Sequence, residues 1–394
     1  MKFAAPFLSC ACACVLVMKR KAPGFAGTPG LTSRAAAKVV QAVQEDPSLA
    51  NDFGARGHQK LGRAMEEDIS LETAYGKAVI NVEMPAKKGA AIPVTLINTF
   101  ALLNLMVGYC PDLGKALRKL CQERPTEPLT LVVYNDGVKA GNLLKQDQSR
   151  YCELFYFSFL ELGFELLSKD KFWFLAACVR VDLVKQIAGG LSAVFSSIIY
   201  GMFGRTFNFE TSGCIINASE DGQQPFVLRA KLGMIIADAA AHQYLFDFKG
   251  SSSLKPCPCC KNVADRSHRE LGEHDQYIVH VACTDPSRFD RHTDQTVWEM
   301  VDALAEAQRN TPRQVAHLEK VFGVNYNPQG ILADKFLRAF VLPMTLLFWD
   351  PAHVFLQGVC LIEIFHFLVA VKACWHTSKR RASAAEHYSR LRDL

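Results

Sequence analysis

Three apolar, β-rich runs in this chain each stop on an aspartate. LTLVVYND closes on Asp136, KLGMIIAD on Asp238 and VLPMTLLFWD on Asp350. A carboxylate at the end of a buried strand is costly unless something cationic shares it. A turn or a helix N-cap accounts for any one such acid. Three of them, closing three separate apolar runs, instead point to a fold that gathers strand ends around one charged site.

The runs between them say which fold. LTLVVYND (129–136), YCELFYFSFLELG (151–163) and FWFLAACVRVD (172–182) read as three successive strands. LVKQIAGGLSAVFSSIIYGMFG follows as a long apolar helix. Its Gly189-Gly190 and Ser196-Ser197 pairs mark a buried helix rather than a membrane span. GCIINAS and PFVLRAKLGMIIAD then supply one or two strands, the last ending at Asp238, and a helix-compatible segment follows. Three strands, a helix, a strand and a helix predict an α/β fold with a mixed sheet and helices packed on it.

Flanking regions are less regular. Residues 1–18 are apolar but too short to span a bilayer. Basic residues follow them directly without a small-residue cleavage site, so 1–32 reads as a leader and linker rather than a signal peptide. From Ser33 to residue 125 the expectation is a helical N-terminal region, with helices near 33–46, 58–67 and 95–123. Its scattered Lys and Arg are read as solvated helix faces, because no recognition-helix pattern stands out. Residues 126–249 form the first part of the core and 250–295 a Cys/His-rich insertion. Residues 296–374 form a helical remainder carrying Asp350, His353, Gln357 and Glu363, and 375–394 a basic tail.

Composition sets outer bounds. The chain has 394 residues, 49% hydrophobic and 21% charged, enough for a large core and too apolar for disorder. A net charge of +5 permits a nucleic-acid partner without demanding one. Most of the 14 cysteines stand singly in apolar runs, which suits buried free thiols in a reducing compartment.

Cys257 and Cys260, with Cys259 between them, make half of a zinc site, since thiolates at this spacing can grip one tetrahedral ion. The expected partners are Cys283 and one histidine, His280 or His292, with His274 and His268 as further candidates. The acids suit different chemistry. Phosphodiester cleavage by two divalent ions needs carboxylates from separate elements, one ion activating the attacking oxygen and the other the leaving oxygen. Asp136 would end the first strand, Asp238 a strand beside it, and Asp350 would approach from a later helix.

The order of elements and acids resembles the ribonuclease-H-like core of DDE/DDD transposases. VVYNDGVKAGN, IIADAAAHQYLFDFKGSSSLKPCPCC and FWDPAHVFLQGV are similar to the three acid segments of the Kyakuja–Dileera–Zisupton (KDZ) and CACTA/Plavaka-type eukaryotic elements. The likeness covers about residues 129–370. It implies Asp136, Asp238 and Asp350 as catalytic acids holding Mg²⁺ or Mn²⁺, with His353 as a helper. It also implies cleavage and strand transfer of DNA (transposon ends and target), a nuclear location, self-association and no membrane. Two departures stand out: the chain stops soon after the third acid, and no separate DNA-binding domain is visible. A truncated or inactive copy is therefore one expectation. The alternatives are a non-catalytic DNA- or protein-binding descendant, and a membrane-associated protein using residues 1–18 and 341–374.

Overall fold

The computed structural model describes residues 72–139, 151–217, 224–265, 277–351, 353–354 and 360–377. The leader, the helices expected near 33–46 and 58–67, His268, His274, Gln357 and residues 378–394 of the tail lie outside these. The chain divides into two units, Met1–Phe348 and Trp349–Leu394, each described by itself.

The first unit is built on a seven-stranded mixed sheet flanked by helices. Its strands are β1 (Val79–Met84), β2 (Ile92–Ile97), β3 (Leu129–Lys139), β4 (Tyr151–Phe159), β5 (Phe174–Arg180), β6 (Ala230–Ala237) and β7 (Leu347–Trp349), in spatial order β7-β6-β3-β4-β5-β2-β1. The pairs β1/β2, β2/β5, β4/β5 and β3/β4 are antiparallel, whereas β6 runs parallel to β3. The parallel pair follows from the sequence between them. A crossover has to return the chain to the same end of the sheet, and a buried helix does so here.

β3 shows why the central strands read as unbroken apolar runs. Leu131 and Val133 join the large core cluster on one side, while Val132 and Tyr134 join a second cluster with Leu154, Tyr156, Trp173 and Leu175. Both faces are covered, so alternation disappears from the sequence. The large cluster is closed by helices α1 (Thr99–Tyr109), α2 (Pro111–Glu123) and α3 (Gly190–Phe203). Helix α3 is the long apolar run. Leu191, Val194, Phe195, Ile198, Ile199, Met202 and Phe203 are all buried, and Phe195 stacks on Phe155 of β4 at 5.8 Å between ring centroids. No helix among the described residues is long and apolar enough to cross a membrane.

One expectation fails here. Residues 79–97, inside the stretch expected to be helical, form the β1/β2 hairpin, and β2 docks on β5 through Leu96 and Ala177. VINVEM and IPVTLI are short β-branched segments separated by a Lys-Gly turn, a pattern that pairs strands rather than winding a helix. The helix read from residue 95 starts at Thr99, where Asn98 caps it by accepting a hydrogen bond from the Ala101 amide. The sheet thus draws strands from both sides of residue 126.

Downstream, α4 (Ala239–Leu245) follows β6 directly. The lobe over 250–295 contains a short parallel pair, Val263–Ala264 with Val279–His280. The helix expected over 296–310 runs Asp294–Asn310 (α5), opened by a capping box on Thr293, and α6 spans Pro312–Phe322. In the second unit, α7 covers Cys360–Thr377.

Candidate functional site

The register of the central strands decides which acids meet. β3 and β6 pair in parallel up to Tyr134 with Ile236, so Asp136 and Asp238 each lie two residues past the last matched pair, at the same end of the two strands. Asp136 does not end its strand. β3 continues through it to Lys139, paired with β4 as far as Tyr151. Asp238 directly follows β6 and caps the next helix: its Oδ1 accepts a hydrogen bond of 2.6 Å from the Ala241 amide. The cap fixes that carboxylate at the positive end of a backbone turn.

A further acid lies nearby that the sequence alone did not reveal. Glu153 on β4 pairs with Gly137, the residue after Asp136, and so lies on the opposite face of β3 from Asp136, beside Asn135. Burial pushes the Glu153 carboxyl above its usual range. The Asn135 amide bond pulls it back, and the charges of Asp136 and Asp238 push it further up. Tyr151, two residues earlier, donates from its hydroxyl to the Gly137 carbonyl at 3.2 Å. Its hydroxyl is also shifted upward, by burial first and then by Glu153, Asp136 and Asp238. Gly137 is required beneath this ring, because a Cβ there would stand 2.6 Å from Tyr151 Cε1. Nothing in YCELF announces Glu153; only the pairing of β4 with β3 places it.

Helix α4 is held from the same edge of the sheet. His242 is fully buried, and its Nε2 lies 2.8 Å from the Phe348 carbonyl of β7. Burial holds its pKa below the usual histidine range. Such a contact keeps the helix carrying the Asp238 cap against the edge strand.

Asp350, the third sequence-predicted acid, belongs to the second unit. There its Oδ2 lies 2.7 Å from Nδ1 of His353, the residue expected to assist it. The Val354 amide donates to the Asp350 carbonyl at 3.0 Å.

The cysteines form a turn of three thiols rather than a pair. Cys257 is hydrogen-bonded by the Cys259 and Cys260 thiols and by both their backbone amides. These bonds pull the Cys257 pKa down to about 5, against burial acting the other way. His292 donates its backbone N–H to the Cys259 carbonyl at 2.9 Å, while its ring Nδ1 lies 3.1 Å from Thr296 Oγ1. Burial, with Lys255 and Lys261 nearby, lowers the His292 pKa to about 4, so the ring is neutral. The two other expected ligands turn to their own loop. Cys283 Sγ donates to the Asp285 carbonyl at 3.8 Å, and His280 Nδ1 accepts from the Ala282 amide at 3.0 Å. The donors are of the kinds that suit zinc at the thiols and magnesium at the carboxylates. Among the described residues, however, no three His, Cys, Asp or Glu side chains converge as a metal ion would need.

Compared with models of known protein families the chain matches none, and no curated protein matches it either.

Proposed function

We propose that this chain is transposase-like and that its sheet-borne carboxylates serve Mg²⁺-dependent cleavage and strand transfer of DNA. One observation supports the reading most: Asp136 lies on β3 and Asp238 directly follows β6, the strand parallel to it, each two residues beyond the last matched pair, Tyr134 with Ile236. The order β7-β6-β3-β4-β5 within the sheet is compatible with a ribonuclease-H-like core, and we read it as one.

When bound, Mg²⁺ or Mn²⁺ supplies charge neutralisation for the attacking and leaving oxygens of the phosphodiester. The rest falls to the chain. Asp136 and Asp238 offer hard oxygen ligands from rigid elements. The Asp238 cap and the His242 anchor fix one of them in place. Burial first, and then the charges of Asp136 and Asp238, raise the pKa of Glu153 on the neighbouring strand. Asp350, bonded to His353, is the reading's third acid, assigned from its sequence string. The lobe over 250–295 is read as a structural zinc module using Cys257 and Cys260, with Cys283 and either His280 or His292 completing the set. DNA is the partner and the nucleus the site of action.

A second reading is a non-catalytic DNA- or protein-binding descendant. It is favoured by the lack, among the described residues, of three converging metal ligands. Purified chain incubated with supercoiled plasmid and Mg²⁺ separates the two. The first reading expects nicked product that disappears with chelator, with Asp136→Asn and with Asp238→Asn. DNA retention without nicking supports the second, and nicking undiminished by both variants overturns the site.

A further inference from the structure

The 250–295 lobe meets helices α5 and α6 across an open cleft of about 530 Å³, a size that small-molecule sites share. Part of its lining is apolar: Met300 from α5, Val321 and Phe322 from the end of α6, and Ile278 from the lobe. The rest is polar, and the lobe supplies two ammonium groups to it, those of Lys255 and Lys261.

Lys255 is only 5% exposed. Its stem passes Gly323, the residue that closes α6, where a Cβ would stand 2.7 Å from Lys255 Cβ. The ammonium donates to the Lys261 backbone carbonyl, and among the described residues no carboxylate pairs with it. An ammonium carries three donors, so one carbonyl leaves hydrogen-bonding capacity over. Cys260 and Cys257 lie close enough to offset part of the charge, but both stand outside the lining of the cleft.

The second ammonium is better matched. Lys261 Nζ lies 3.4 Å from both carboxylate oxygens of Asp290, which also accepts from the Tyr277 hydroxyl. Even so, the His292 ring in the cleft wall responds to Lys255 and to Lys261 more than to Asp290. The potential there is positive. Among the described lining residues the acid is Glu299, which is exposed and accepts from the Gln295 amide at 2.9 Å.

We propose that this cleft binds a small organic anion with an apolar body, Lys255 holding its charged oxygens and Met300, Val321 and Phe322 its carbon frame. Such a ligand gives a buried ammonium the anionic partner it lacks, through charge-assisted hydrogen bonds. The apolar lining favours a carbon body over a bare inorganic ion. The site stands apart from the transposase reading and from a metal at the thiols.

The test titrates the full chain with 4-bromobenzoate and with its uncharged analogue 4-bromobenzamide, read by calorimetry. One bromobenzoate should bind per chain, at least about tenfold tighter than the amide, as one charge-assisted hydrogen bond allows. Lys255→Met should erase that preference. Glu299→Gln should keep it and tighten bromobenzoate, because a repelling charge is removed. In soaked crystals the bromine anomalous peak should lie among Met300, Val321 and Phe322. No bromobenzoate binding, equal affinity for acid and amide, a preference kept in K255M, or a bromine found elsewhere would overturn the proposal. If K255M does not fold, wild type and E299Q decide: affinity in E299Q no higher than in wild type refutes it.

Discussion

Gly233 sits where the two acid-bearing strands come closest to failing. β6 slips one residue against β3 there: Leu232 faces Leu131, but Met234 already faces Val132, so Gly233 is the extra residue of a bulge. An alanine Cβ at this point would stand 2.2 Å from Thr130 Cγ2 and 3.5 Å from Thr130 Cβ. Carbon atoms in contact rest at about 3.5–4.0 Å, so more than 1 Å of overlap must be relieved. The Thr130 backbone has little room to yield. Its amide is held by both carboxylate oxygens of Glu161, at 2.9 and 3.1 Å. Overpacking of this kind costs about 1–3 kcal/mol, and Gly233→Ala should lose that much in urea unfolding. The remedy is specific. Thr130→Ser removes only Cγ2, so the double variant should recover most of the loss, giving a coupling of about 1–2 kcal/mol in a double-mutant cycle. Wild-type stability in G233A would refute the reasoning. So would a double variant as weak as the sum of the singles, because the bulge would then not be packed as described.

Other outcomes follow from single contacts. Ser158 is fully buried on β4 and donates to the Phe172 carbonyl at 2.6 Å; Ser158→Ala strands that carbonyl and should cost about 1–3 kcal/mol in unfolding. If the 250–295 lobe holds zinc, Cys257→Ser and Cys260→Ser should release the metal and loosen the lobe to proteolysis. Freshly purified, reduced wild type free of zinc by metal analysis would remove the module from the account. If the chain binds DNA, affinity should fall steeply as salt rises, since scattered Lys and Arg would contact phosphates and carry little sequence information. A flat salt profile with strong sequence preference would contradict this.

Much of the sheet could be read from sequence because its central strands are buried on both faces. Runs such as LTLVVYND and YCELFYFSF leave no alternative to a strand in a core. The β1/β2 hairpin escaped because apolar residues run on from Ile92 through Val107 with only Asn98 to mark where strand becomes helix. The candidate acids stand out in the sequence by their positions at the ends of apolar runs, but what surrounds them does not. That Glu153 comes near them, on the other face of β3 from Asp136, follows from the β3/β4 register, a long-range fact that no local pattern encodes. The thiol turn shows the same limit. Spacing picks out Cys257 and Cys260. That the His292 backbone meets the Cys259 carbonyl, while His280 bonds within its own loop, depends on packing between residues far apart in the chain.

The claim that Asp136 and Asp238 share a divalent ion has a direct test. Crystals of the full chain grown with Mn²⁺ and measured at the manganese edge locate the metal by its anomalous signal. The account predicts a peak coordinated by both carboxylates, lost when Asp136→Asn crystals are measured the same way. At saturating Mn²⁺, no peak between Asp136 and Asp238 would leave Asp238 as a helix cap, Asp136 as a strand residue, and the proposed chemistry without its site.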